Sequence, residues 1–184
     1  MLSLTALLLI AAVHGRAEAI VTVRPGSTLR FPRVEGSNLE GRQFSLPNDF
    51  EGELNIVLVA FRREQQDDVD TWVPFLTSMV ATHAGLKAYE LPTLSRSYRW
   101  VCRFIDGGMA RGIPARATRE ATITLYIDKA PFKMALGISA EDRIVTLLVA
   151  RDGRVLWRGD GRHTESAAAD LASAITGRMP AGTP

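Results

Sequence analysis

Residues 54–61, from Leu54 to Phe61, form a nearly unbroken apolar run. The run passes at once into seven polar residues, Arg62 to Asp68, and then into helical spacing. A short apolar run without polar alternation reads as a strand covered on both faces. The residues that follow repeat as Val69, Trp72, Val73, Leu76, Val80 and His83, one stripe of a helix. A second apolar stretch, Arg143–Ala150, has the same buried-strand character. Two such strands in one chain require a sheet with cover on both sides, so helices must pack on each face.

The remaining elements follow in order. Gln43–Leu46 reads as a short strand between the turn residues Gly41 and Pro47. Asp67, Asp68 and Asp70 crowd the start of the helix, where carboxylates favour the positive end of its dipole. Pro74 inside the helix is expected to kink it, and Gly85 to end it. "LKAYELP" reads as a strand stopped by Pro92. Leu94, Tyr98, Val101 and Ile105 predict a second helix, capped by Ser95 and terminated by Gly107-Gly108. "MARGIPARATREA" reads as a loop and "TITLYID" as a strand. "PFKMALGI" reads as a short helix with Pro131 in its first turn. "RDG" turns the strand ending at Ala150 into a hairpin with "RVLWRG". Thr164 caps a last helix that Gly177 ends. This order predicts an α/β fold, a three-layer sandwich of a mixed β-sheet with helices on both faces.

Residues 4–13, "LTALLLIAAV", are apolar, uncharged and too short to span a bilayer, which needs roughly 20 residues. Ala17-Glu18-Ala19 follows as a small-x-small cleavage signal, so residues 1–19 read as a secretory signal peptide and the protein as periplasmic or secreted. An uncleaved anchor is the alternative, and would be the chain's route to a membrane. The single cysteine, Cys102, allows no internal disulfide. The net charge is +2 and the basic residues are scattered, without the concentrated face that nucleic-acid binding needs.

"NLEGRQFSLPNDFEGELNIVLVAF", the central helix and the hairpin "RIVTLLVARDGRVLWRG" together resemble the thioredoxin-like superfamily over residues 35–176. In that superfamily a proline follows the second cysteine of the Cys-x-x-Cys motif by five residues. If Pro74 is that proline, the resemblance puts Gln66 and Val69 where the two cysteines would stand. The family's cis-proline falls on Val145, and the Ile144–Val145 peptide is expected to be trans, because a non-proline cis bond costs roughly 2.5–4 kcal/mol. Thiol–disulfide exchange, peroxidase chemistry at the junction and copper delivery all need junction cysteines. None is present. A narrower resemblance is to the mitochondrial ATP synthase assembly-factor family, which is peroxiredoxin-like, lacks those cysteines and assists subunit 6 of the proton channel. It is carried by "FRREQQDDVDTWVPFL", "LGI" and the Trp157-x-Gly159-x-Gly161 close. The resemblance implies a non-catalytic binding or assembly role with a protein partner and no cofactor.

Within this frame the junction residues Arg62, Arg63, Gln65, Gln66, Asp67 and Asp68 are the candidate binding surface, since open α/β sheets take ligands at the carboxyl ends of their strands. A solvated loop with a capped helix start is the plainer reading. The helix dipole stabilises the charged forms of Asp67 and Asp68, which suits a cap rather than a general acid or base. No histidine lies near them in sequence to complete a metal site. Cys102 reads as a small buried hydrophobe, or as a reactive thiol beside Arg99 and Arg103 that would make the protein a thiol-dependent peroxidase or reductase. Trp72, Trp100 and Trp157 read as core anchors.

Overall fold

A computed structural model describes residues 29–179. The expected signal peptide, residues 1–19, lies outside the described residues. The elements run as strands β1 (Val34–Asn38), β2 (Gln43–Leu46) and β3 (Leu54–Ala60), helix α1 (Gln66–Thr82) and strand β4 (Leu86–Ser95). Helices α2 (Cys102–Gly112) and α3 (Arg116–Ala121), strand β5 (Ile123–Ile127), helix α4 (Lys129–Ala135), the hairpin β6 (Val145–Ala150) and β7 (Val155–Asp160), and helix α5 (Glu165–Thr176) follow.

The strands form one seven-stranded sheet in the order β2-β1-β5-β4-β3-β6-β7. β4 runs parallel to both β3 and β5, while β6 is antiparallel to β3 and the outer strands are antiparallel to their neighbours. All seven residues of β3 are buried, as its apolar run requires. Its alternate side chains enter two cores. Val57, Val59 and Phe61 join Phe132 and Leu136 on the α4 face. Ile56, Leu58 and Ala60 join Trp72, Leu76, Leu171 and Ile175 on the face covered by α1 and α5. The mixed sheet between helices on both faces is the predicted architecture.

Several local expectations change. β4 continues through Pro92, which pairs with Ala60, the last residue of β3. A missing N–H is tolerated there because the rung is the end of that ladder, and pairing passes to β5 at Thr93. The segment after β4 begins as a 3-10 helix, Arg96–Val101, whose Ser95 cap accepts from the Ser97 amide at 3.4 Å. α2 then runs straight through Gly107-Gly108 to Gly112, and part of the expected loop is α3. The short strand β1 was hidden in the sequence by Gly36. That glycine is needed, because a Cβ there would come within 2.7 Å of Leu125 and 2.9 Å of the Thr124 carbonyl.

The Trp157-x-Gly159-x-Gly161 pattern has a structural reason. The Trp157 indole lies over Gly159, where an added Cβ would stand 2.4 Å from the ring. Gly161 takes a φ of +90°, which favours glycine, and its carbonyl accepts the Trp72 indole N–H at 3.1 Å. The two tryptophan rings meet edge to face at 6.4 Å. The end of β7 thereby fixes the first half of α1, the helix that begins at the junction.

Candidate functional site

The loops after β3, β4 and β5 leave the same end of the sheet, because these three strands are mutually parallel. That end carries the junction. Arg63–Gln65 form one 3-10 turn that leads directly into α1. Gln65 is buried, unlike its polar neighbours. Its Oε1 accepts from the amides of Phe61 at 2.7 Å and Arg62 at 3.2 Å, and its Nε2 donates to the Glu141 carbonyl at 3.0 Å. Gln65 is therefore a clip that holds the chain as it leaves β3, and its side chain is not offered to a ligand. This corrects its place among the candidate binding residues.

The other junction residues divide by exposure. Arg62, Arg63, Gln66 and Asp67 are exposed, and Asp68 is half-buried with Arg162 4.0 Å away. Arg63 and Asp67 have no side-chain partner among the described residues. Val69 is 3% exposed. So the position assigned to a first cysteine faces water as Gln66, and the position assigned to a second one is in the core as Val69. Val145 is buried and pairs with Val59 on the strand beside the junction. The Ile144–Val145 peptide is trans, the cis bond among the described residues being Leu46–Pro47.

Gln66 donates to Asp70 at 3.0 Å across the first turn of α1, and both lie near Glu90 of β4. Burial, then the Asp70 charge, pushes the Glu90 carboxyl from 4.5 up to about 7, against an opposing hydrogen bond from Gln66. A carboxyl raised in the folded state binds protons more tightly there than in the unfolded chain. Stability is then greatest below pH 4.5 for this group and falls as pH rises towards 7. We expect Glu90→Gln to flatten that fall and to be more stable than the parent at pH 8 by about 1 kcal/mol, a figure reduced for the part of the carboxyl that water reaches. Urea titrations of both proteins between pH 4 and 8 check this. Sequence reading missed Glu90, since a lone glutamate in a strand gives no sign of the helix that will cover it.

Beside the junction lies a cavity of about 380 Å³, lined among others by Ser95, Arg96, Asp128, Lys129, Lys133 and Glu141. Lys129 and Lys133 bind Glu141 at 2.5 and 2.9 Å. The Lys129 hydrogen bond, followed by that of Lys133, holds the Glu141 carboxyl below its ordinary range. Lys129 also stands 5.8 Å from the centre of the Phe61 ring. Glu141 thus joins the cavity by its side chain to the junction by its backbone.

Cys102 begins α2 and is half-exposed, which corrects the expectation of a buried thiol. No hydrogen bond links its sulfur to Arg62 or Arg143 among the described residues. Trp72 and Trp157 are the core anchors expected, but Trp100 is 86% exposed. Among the described residues no group of three or more His, Cys, Asp and Glu side chains is placed to hold a metal ion.

No family model matches the chain, and no curated protein matches it. Solved structures do. One is a member of the Sco family of cytochrome c oxidase assembly proteins, at 13% identity and a TM-score of 0.55, covering 86% of this chain and 97% of the other. Yeast Sco1 with copper bound aligns at 11% identity and a TM-score of 0.55, covering 84% and 98%. The thioredoxin domain of a thiol-disulfide oxidoreductase from Bacteroides vulgatus aligns at 17% identity and a TM-score of 0.52, covering 78% and 94%. The likeness is one of fold: the protein has a thioredoxin-like fold.

Proposed function

We propose that this protein is a non-catalytic thioredoxin-like factor of the cell envelope that binds a protein partner through its junction. In this reading residues 1–19 are a signal peptide and residues 35–176 the binding domain. The observation that carries it is the pairing of an exposed Gln66 with a core Val69 at the strand-to-helix junction, where the resemblance would place two cysteines. Neither side chain can form a thiolate, yet the junction is firmly built. An internal clip, Gln65, and the Trp72–Gly161 bond hold it while Arg62, Arg63, Gln66 and Asp67 face outward. A surface held in one conformation gives up less entropy on binding.

An assembly role is the finer reading. It is supported by the sequence resemblance to the ATP synthase assembly-factor family, and by a shared fold with a member of a cytochrome c oxidase assembly family. The experiment is affinity capture from envelope extract on the immobilised protein. We expect a specific partner to be retained by the parent and by Cys102→Ser, and lost on Arg62→Glu/Arg63→Glu. Capture that ignores the charge reversal, or fails altogether, would contradict the reading.

A further inference from the structure

We propose that the segment formed by the 3-10 helix Arg96–Val101 and α2 docks onto an anionic lipid surface. The segment buries none of its residues in the fold. Its largest apolar side chains point away from the domain: Trp100 is 86% exposed, Phe104 77% and Tyr98 52%. Trp100, Arg103, Phe104, Gly108 and Arg111 are all exposed, at the spacing of a single outward ridge of a helix. A fold that buries Trp72 and Trp157 almost completely has left these aromatics in water. Exposed apolar groups gathered in one place mark a surface that something covers.

Charge decides what covers it. The segment holds Arg96, Arg99, Arg103 and Arg111, none with a hydrogen bond or ion pair to its side chain among the described residues. Its single acid, Asp106, accepts from the Tyr126 hydroxyl at 2.9 Å. The occupant is therefore anionic and accepts aromatic side chains. The aromatics stand out from a convex helix rather than lining a groove, so they suit a soft interface that moulds around them. Trp and Tyr favour the headgroup level of a bilayer, and arginines beside them attract anionic lipids. This route to a membrane is separate from the alternative of an uncleaved N-terminal anchor, and it does not depend on what the junction binds.

The test uses the full chain with vesicles of phosphatidylcholine and phosphatidylglycerol in equal parts, against phosphatidylcholine alone. Trp72 and Trp157 are 1% and 2% exposed, so a change in tryptophan emission reports Trp100. Expected are a blue shift and quenching by brominated acyl chains with the anionic vesicles, both absent in Trp100→Ala. Arg99→Glu/Arg103→Glu should weaken partitioning by about tenfold or more while leaving the melting temperature unchanged. The proposal is overturned if the chain fails to sediment with anionic vesicles. It is equally overturned if the chain sediments with Trp100 emission unmoved, or if charge reversal has no effect. An unmoved Trp100 emission would assign binding to another part of the chain, and an ineffective charge reversal would remove the arginines from it. Capture of a protein through Trp100 without any lipid effect would also overturn it.

Discussion

Trp72→Ala should destabilise the protein by about 3–5 kcal/mol, the largest effect we expect of a single substitution. Trp72 is 1% exposed and fills the core between α1 and β7. Its ring meets Trp157 at 6.4 Å and His163 at 5.2 Å, and its N–H satisfies the Gly161 carbonyl at 3.1 Å. Alanine removes the ring volume and the bond together. The surrounding rings cannot close the space, because Trp157 is already seated against Gly159. Trp72→Phe should recover most of the packing but not the bond, leaving a deficit of about 1–2 kcal/mol. Urea unfolding of the three proteins measures both numbers. A loss below about 1 kcal/mol for alanine would mean that α1 is not anchored as described.

Gln65→Leu should cost about 2–3 kcal/mol although the side chain is of similar size. Leucine fills the space and leaves the Phe61 and Arg62 amides and the Glu141 carbonyl without their partner. The loss should be local as well as global. Amide hydrogen exchange at Phe61 and Arg62 should accelerate relative to β3, because their protection depends on this one carboxamide. Equal exchange in the parent and the variant would remove Gln65 from its role as the clip.

Much of the fold was legible because burial writes itself into composition. Leu54–Ala60 and Val145–Ala150 are interior strands of the sheet buried along their whole length, so both faces of each had to be apolar, and the sequence shows it. Thr164 caps α5 by accepting the Ala167 amide at 3.2 Å, a short-range event that the sequence displays directly. The segment from Arg96 to Ala121 was legible only in part. The spacing of Leu94, Tyr98, Val101 and Ile105 announced a helix, but the helices here bury none of their residues, so no buried stripe marks where they start and stop. Trp100 misled for the same reason, because a tryptophan in sequence carries no sign of which way it will face.

The site was legible as a place and partly misread as a set of residues. The position of the junction follows from strand order. Gln65 looks like its polar neighbours in sequence, and only the return of residue 141 against the junction makes it a buried clip. Glu90 and the cavity at Lys129, Lys133 and Glu141 depend on contacts between elements distant in the chain, which local spacing cannot reveal.

The central claim is that the junction keeps a thioredoxin-like geometry without thiol chemistry. Reduction of insulin disulfides by the purified protein, with dithiothreitol as the terminal reductant, tests it most directly. The account predicts that neither the parent nor Cys102→Ser will exceed the uncatalysed rate. Turnover by the parent that disappears in Cys102→Ser would contradict it.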